Sequence, residues 1–189
     1  MKLTGTLKER IAQAVEFAKA HRVYEYDHDM FVERYRRARV PYTEAAEKFC
    51  REWDGVLNFC RFCGANKSRI DFWFVCALDV TEYFETPEEA LKYWYDPETY
   101  EKDESLYPNY PQEIRDEHGP DTVPVAAGGY YYFDIIWIKP DGSLIAIMPD
   151  DGRQKHYDNL FDYMCFEFGC AGMPDNVEFD IEVINSAEN

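Results

Sequence analysis

The sequence lacks the features of a membrane-inserted, exported or disulfide-stapled protein. No stretch approaches the roughly 18 uncharged apolar residues of a membrane span, so we expect no membrane partner. Residues 1–9 show no apolar core of a secretory signal, which argues against export. Six cysteines in 189 residues are too sparse for a disulfide scaffold, and we expect them to be reduced thiols. The sequence therefore predicts a cytoplasmic location.

Basic residues become scarce in the second part of the chain. Residues 1–81 hold 14 Lys and Arg against 12 Asp and Glu, a net charge of +2. Residues 82–121 hold 3 against 13, a net of −10, and residues 122–189 hold 3 against 12, a net of −9. The whole charge of −17 therefore arises after residue 81. Because binding to phosphates requires Lys and Arg, we expect no direct contact with nucleic acid.

A negative field of this size has two interpretations. It steers a basic protein partner towards the chain. Alternatively, it only keeps a cytoplasmic protein in solution. One predicted helix stands apart from the acidic background, because it holds the basic cluster Arg34, Arg36, Arg37 and Arg39.

Hydrophobic residues make up 46% of the chain and aromatic residues 17%, which indicates a folded core. The clearest pattern is a β-hairpin in residues 129–148, where two runs of β-branched and aromatic residues flank Lys139 to Gly142. Pro140 favours the first corner of a type I turn, and Gly142 can take the left-handed position that closes it. One strand face carries Asp134 and is expected to be partly wet. The hairpin predicts an antiparallel sheet with helices packed on its more apolar side.

Caps and periodicity predict the other elements. Thr6, Thr43, Thr86 and Asp158 are expected to cap helices. After Thr86, Pro87 takes the first helical position and Glu89 completes a capping box. Pro124 suggests a sheet edge or a strand start, and Gly128–Gly129 is interpreted as a turn. The predicted helices run over about 6–21, 29–39, 43–55, 86–94, 111–118 and 158–169. The predicted strands run over 56–60, 70–78 and 122–126, besides the hairpin. The strictly alternating stretch 177–183 is expected either to add a strand or to dock on a partner.

No local motif indicates catalysis, and we expect a binding protein without a cofactor. No nucleophile elbow occurs, and none of His21, His28, His118 and His156 lies one helical turn from another metal ligand. Cys60 and Cys63 form a C-x-x-C pair, and a zinc site with Cys165 and Cys170 stays open as an alternative. Otherwise these cysteines are structural.

An acidic, tyrosine-rich stretch is the predicted partner-binding surface. Tyrosine offers a large contact area with few rotatable bonds, and carboxylates attract and pair with arginine. The alternative interpretation is a disordered, solvated loop. The predicted contact residues are Asp96, Glu98, Tyr100, Glu101, Asp103, Glu104 and Tyr107, joined by Tyr130 and Tyr132 of the hairpin.

Three motifs occur in an order that resembles a known family. They are Phe49-x-x-x-Trp53-Asp54-Gly55-Val56-Leu57, the run 123–128 (Val-Pro-Val-Ala-Ala-Gly), and Ile136-x-Ile138-x-x-Asp141-Gly142-Ser143-Leu144. This order is similar to that of the SUKH superfamily of bacterial immunity proteins, and specifically its third subgroup. The chain differs in having Asp54–Gly55 where a glycine pair is usual, and Ala126–Ala127 before Gly128.

The resemblance implies a single α+β domain over residues 1–189, with a twisted antiparallel sheet surrounded by helices. Residues 1–40 would be an N-terminal helical extension and residues 171–189 a C-terminal tail. The matched residues Trp53, Gly55, Pro124, Asp141 and Gly142 would serve the scaffold. The implied function is an immunity protein that occludes a cognate toxin, commonly a basic nuclease. A regulatory adaptor of the same fold and a small zinc protein are the alternatives, and the oligomeric state stays open.

Overall fold

Helices and antiparallel strands occur in separate runs along the chain, which confirms the predicted α+β class. The structure, a computed structural model, describes residues 3–22, 24–56, 60–64, 73–79, 84–96, 110–129, 133–148, 152–170 and 179–183. The helices there are α1 (Leu7–Ala20), α2 (His28–Ala38), α3 (Glu44–Trp53), α4 (Pro87–Tyr95), α5 (Tyr110–His118) and α6 (Leu160–Cys170). The strands are β1 (Cys60–Gly64), β2 (Trp73–Cys76), β3 (Val123–Gly129), β4 (Phe133–Ile138), β5 (Leu144–Ile147), β6 (Gln154–Tyr157) and β7 (Phe179–Val183).

Short polar side chains start the helices, largely as predicted. At α1 the Thr6 hydroxyl accepts from the amide of Glu9, and the Glu9 carboxylate accepts from the amide of Thr6, so a full capping box forms. At α4 Thr86 caps as expected, but the Glu89 carboxylate accepts from the amide of Glu85 instead. The predicted box is therefore displaced by one residue.

The cap of α6 was predicted wrongly. The side chain of Asn159 accepts from the amide of Asp162 at 3.0 Å, and the Asn159 carbonyl accepts from the amide of Tyr163. Asn159 therefore holds the capping position that Asp158 was expected to hold, because the helix begins at Leu160.

Five strands form one antiparallel sheet in the order β2-β3-β4-β5-β6, and β1 pairs with β7 separately. The strand β3 lies inside the sheet, so Pro124 marks a strand start and not an edge. A register shift follows Pro124, and β2 pairs only from Ala126 onward, so the missing amide hydrogen of proline breaks no pairing with β2. Gly128 and Gly129 are paired on both sides and do not form the predicted turn.

Two predicted strands have different limits. The stretch 56–60 does not begin a strand at Val56, which lies in the turn after α3, and β1 begins at Cys60. The stretch 70–78 ends early, because Ala77 and Leu78 take positive φ angles of 52° and 56°. The Ala77 amide still donates to the carbonyl of Val125 at 2.6 Å. The C-terminal alternation is confirmed as strand β7, which pairs with β1.

The predicted turn between β4 and β5 is confirmed. The Gly142 amide donates to the Lys139 carbonyl, and Gly142 has a φ of 87°. The Asp141 carboxylate accepts from the amide of Ser143 at 2.9 Å and from its hydroxyl at 2.6 Å. These bonds lower the pKa of Asp141, the side-chain bond contributing most.

Helices cover both faces of the sheet. Side chains of consecutive strand residues point to opposite faces, so Lys155 and His156 in β6 lie on different sides. Lys155 contacts Glu167 of α6, whereas His156 contacts His118 of α5. The helices α5 and α6 therefore pack on opposite faces.

The hydrophobic core joins the sheet to the surrounding helices, including α1 and α2. Its largest fully buried side chains come from the sheet and from α1, α2 and α6. None of the helices within the described ranges combines the length and apolar character needed to cross a membrane. The largest buried side chains are Trp137, Tyr35, Tyr163, Phe31, Phe74 and Phe168.

Candidate functional site

Most of the predicted contact surface lies outside the described residues. Of the nine predicted positions the structure places Asp96, which caps the C-terminus of α4. The other eight are Glu98, Tyr100, Glu101, Asp103, Glu104, Tyr107, Tyr130 and Tyr132.

Asp96 lies at a junction between α4 and α5. Its carboxylate is 3.9 Å from a guanidinium nitrogen of Arg115, and its side chain is 40% exposed. The guanidinium lies 4.8 Å from the centre of the Tyr95 ring, and Arg115 also donates to Gln112 at 2.6 Å. Arg115 is thus held by several partners. The Asp96 carboxylate stays accessible to solvent, because its side chain is 40% exposed.

The exposed side of α5 is a stripe of carboxylates. Glu113, Asp116 and Glu117 are all exposed, and their spacing places them along one side of the helix. Ile114 points inward and is fully buried. We name these three acids the α5 acidic stripe. The sequence predicted the helix, but the predicted contact set did not include these acids. Their i, i+3, i+4 spacing is the signal that could have assigned them to one face.

Within the described part of the chain, no Lys or Arg side chain neutralises the α5 acidic stripe. Asp116 accepts from the Gln112 amide at 2.6 Å, and Glu117 lies 3.7 Å from the Nε2 atom of His118. Within the described ranges, neither Lys nor Arg forms an ion pair with any of the three acids. As far as the described residues go, the stripe therefore presents net negative charge to solvent.

The helix α2 presents the opposite charge. Arg36 and Arg37 are 67% and 62% exposed at their side chains, and both bond to Glu33. The two guanidiniums lower the pKa of Glu33 to about 2, Arg36 contributing most. One carboxylate thus serves two arginines. Arg39, exposed and left-handed at a φ of 60°, extends the positive surface past the helix end.

The predicted scaffold residues around Gly55 form a compact turn. Trp53 ends α3 and is 6% exposed, with the Lys19 ammonium 4.5 Å from its ring centre. Gly55 has a φ of 67°, and a side chain there would meet the Tyr24 carbonyl at 2.6 Å. The guanidinium of Arg22 donates to the carbonyls of Arg51, Glu52 and Asp54, which are groups that the helix end leaves unpaired.

Asp54 is buried at this turn. It is 2% exposed, and the Tyr24 hydroxyl donates to its Oδ1 atom at 3.2 Å. Its Oδ2 atom has no hydrogen-bond partner within the described structure. Burial raises the pKa of Asp54, against the opposing effects of Tyr24 and Arg34.

A buried group of charges connects α6 to the sheet. Asp134 is 4% exposed, so the strand face expected to be partly wet is covered by α6. The Lys155 ammonium donates to Glu167 at 3.3 Å and lies 3.9 Å from the Asp134 carboxylate. The nearby Tyr163 hydroxyl donates to the Gly128 carbonyl at 2.8 Å. The lysine occupies the space between the two acids, which suits a structural role.

A second polar group joins α2 to α3 but is not a catalytic relay. The Nδ1 atom of His28 is 3.2 Å from the Tyr26 hydroxyl and 3.4 Å from the Glu47 carboxylate. A relay needs the acid and the hydroxyl on different ring nitrogens, whereas here both face the same one. The Tyr26 hydroxyl also bonds to Tyr42 at 2.8 Å, and burial raises the pKa of Tyr26 and of Tyr42.

Two histidines meet although they are far apart in sequence. The rings of His118 and His156 lie 5.7 Å apart and nearly perpendicular. No sequence signal indicated this contact, because α5 and β6 meet only in the tertiary structure. Within the described residues, no group of three or more His, Cys, Asp or Glu side chains is arranged to hold a metal ion.

The cysteines of the zinc alternative are described only in part. Cys165 is a partly buried free thiol in α6, and burial raises its pKa. The side chains of Cys60, Cys63 and Cys170 lie outside the described set. Cys50 and Cys76 are free thiols in the core, and burial raises the pKa of Cys76.

In comparisons with known proteins, no family model matches the chain, and neither the curated proteins nor the solved structures contain a match.

Proposed function

We propose that the chain is a SUKH-like immunity protein that binds a basic protein toxin and blocks its active cleft. The observation that carries this proposal is the α5 acidic stripe, three exposed carboxylates without Lys or Arg partners among the described residues. The motif order from Phe49 to Leu144 supports the family, and the net charge of −19 after residue 81 supports a basic partner. A cytoplasmic location and a role in binding without catalysis belong to the same proposal.

Electrostatics would act first on the encounter between the two proteins. A cleft that holds nucleic acid is lined with Lys and Arg, and a surface of opposite charge raises the association rate. On the proposed surface, the guanidinium of Arg115 lies over the aromatic ring of Tyr95 and beside the carboxylate of Asp96. Aromatic area next to carboxylates excludes water around the ion pairs that form in the complex.

Blocking the cleft would inactivate the toxin without any catalytic step by this chain. Carboxylates would pair with the cations that otherwise hold phosphate, so the toxin could not bind its own substrate. The predicted contact residues in 98–107 and at Tyr130 and Tyr132 would extend this surface beyond the α5 acidic stripe. The scaffold residues Trp53 and Gly55 would keep their structural role and stay outside the contact.

The test is protection and binding in one system. The open reading frame next to the gene is co-expressed with the chain, and survival of the host cells is scored. The proposal expects protection together with a salt-sensitive complex of the two purified proteins. An adaptor with another client would give no protection.

A charge-reversal pair then tests the surface. Glu113→Lys with Glu117→Lys is expected to lower the association rate with the toxin by roughly tenfold at low salt. The matched control, Glu16→Lys with Glu25→Lys, changes the net charge equally but alters exposed acids in the first part of the chain. Equal losses in both variants would point to net charge alone and contradict the assigned surface.

A further inference from the structure

Three helices follow one another across the molecule with opposite charge at the two ends. The helix α2 packs against α4, and α4 packs against α5. At one end, α2 and the residue after it expose Arg36, Arg37 and Arg39, which outnumber the exposed Asp29 and the Glu33 carboxylate shared between the first two. At the other end lies the α5 acidic stripe. The row α2-α4-α5 is therefore an electric dipole on the protein surface.

The α2 end also exposes apolar side chains. Met30 and Val32 are each 39% exposed, and they are two of the four large hydrophobic residues exposed in the described part of the chain. Arginine and methionine are enriched at protein interfaces relative to other surfaces. Because they are two residues apart on the helix, Met30 and Val32 lie at opposite edges of the exposed side of α2, with Arg36 and Arg37 between them. We name Met30, Val32, Arg36, Arg37 and Arg39 the α2 basic face.

We propose that the α2 basic face docks on the α5 acidic stripe of a second copy of this chain. A twofold axis near α4 would place α2 of each protomer against α5 of its partner. Two equivalent contacts then form at once, as in other isologous dimers. The partly exposed aromatic residues Phe84 and Tyr93, whose rings lie 5.2 Å apart, would sit between the two charged contacts.

A second copy is the occupant because this chain carries the complementary surface itself. The acids of the stripe lack Lys and Arg partners among the described residues, and the two arginines of α2 share one acid. The opposing factor is the charge of −17 on each copy, which repels at long range. At about 0.15 M salt the Debye length is roughly 8 Å, so distant charges are screened while touching pairs are screened less. Association should therefore be strongest at intermediate ionic strength.

This contact does not depend on the proposed toxin, although both proposals use the α5 acidic stripe. Dimer formation and toxin binding would compete. The experiment below contains only the chain itself, so its failure is distinct from a failure of the immunity function.

The test is sedimentation equilibrium of the full chain over a concentration and salt series. Arg36→Glu with Arg37→Glu makes both surfaces acidic, and Glu113→Lys with Glu117→Lys makes both basic. Each variant alone is expected to raise the dimer dissociation constant by about tenfold or more. Mixed in equal amounts, the two variants should form a heterodimer, because both contacts are then complementary. Circular dichroism checks folding, and Arg36→Gln with Arg37→Gln provides a milder variant.

The outcomes separate clearly. Weakened self-association in each variant with recovery on mixing supports the proposal, as does unchanged association of the Glu16→Lys, Glu25→Lys control. A wild-type chain that stays monomeric at every concentration and salt overturns it, leaving the α2 basic face to a different acidic protein. A wild-type dimer that neither charge reversal weakens also overturns it.

Discussion

The hydroxyl of Tyr35 in α2 donates a hydrogen bond of 3.0 Å to the carbonyl oxygen of Pro124 in β3. Tyr35 is fully buried, and burial raises its pKa, so the hydroxyl keeps its proton. The bond lies where a register shift interrupts the pairing of β3 with β4. A helix near the N-terminus thus supplies a partner for a carbonyl at the irregular start of a central strand.

Replacing Tyr35 with Phe should therefore destabilise the fold. The ring stays in place, but the Pro124 carbonyl loses its donor inside the core, at a cost of about 1–3 kcal/mol. Urea unfolding measures the change. The matched control is Tyr95→Phe, because the Tyr95 hydroxyl donates to the Pro120 carbonyl at 2.9 Å in an exposed position where water can replace it. A loss at Tyr95 as large as that at Tyr35 would contradict the role of burial.

Replacing Asp54 with Asn should change how stability depends on pH. Burial raises the pKa of Asp54 in the folded state, so folding favours the protonated acid. The stability that the Asp54 carboxyl contributes is fully present below its pKa in the unfolded chain, and it is lost as the pH rises through its pKa in the folded protein. The free energy of unfolding of Asp54→Asn, taken relative to wild type, should thus be higher at pH 7 than at pH 4. Urea unfolding of both proteins at both pH values measures it.

The opposite sign is expected at Asp141. Bonds from Ser143 lower its pKa, so its stabilising effect is present above the unfolded pKa and is lost as the pH falls through the folded pKa. Asp141→Asn should be less stable than wild type at pH 7, and the difference should shrink towards low pH. If both Asn variants responded to pH in the same direction, the assignment of burial at one site and hydrogen bonding at the other would be wrong.

Two glycines with positive φ should tolerate alanine differently. Gly142 has open space where a Cβ atom would lie, so Gly142→Ala should cost about 1–2 kcal/mol from backbone strain alone. At Gly55 the added Cβ would also meet the Tyr24 carbonyl at 2.6 Å, so Gly55→Ala should cost clearly more. Thermal unfolding of both variants gives the ranking, and a smaller effect at Gly55 would show that this turn relaxes freely.

Removing the lysine that lies between Asp134 and Glu167 should be costly. Lys155→Met takes a cation away from two carboxylates that are only 5% and 14% exposed, and we expect a loss of roughly 2–4 kcal/mol in urea unfolding. Lys19→Met is the matched control. The two lysine side chains are almost equally exposed, at 29% for Lys19 and 30% for Lys155. The Lys19 partner Glu52 is 44% exposed, so its loss should stay below about 1 kcal/mol. Equal effects would contradict the importance of the buried carboxylates.

Features that depend on neighbouring residues could be predicted from the sequence. Thr86 and Pro87 start a helix whatever lies around it. The Thr86 hydroxyl accepts a hydrogen bond from an amide of the first turn, and Pro87 has no amide hydrogen that would need an acceptor. Gly142 closes the hairpin turn for a similar reason, since the left-handed position costs glycine little. The separation of charge along the chain is also a property of the sequence alone.

Features that depend on distant partners were decided only by the tertiary structure. Pro124 by itself suggests a sheet edge or a strand start, and the sheet order decides for the strand start, because β3 lies inside the sheet and a register shift accommodates the proline. Asp134 suggests a wet face until α6 covers it and supplies Glu167. His118 and His156 meet because α5 packs over β6. A local pattern reports on a residue's own backbone and its near neighbours, whereas burial and pairing depend on which elements the fold brings together.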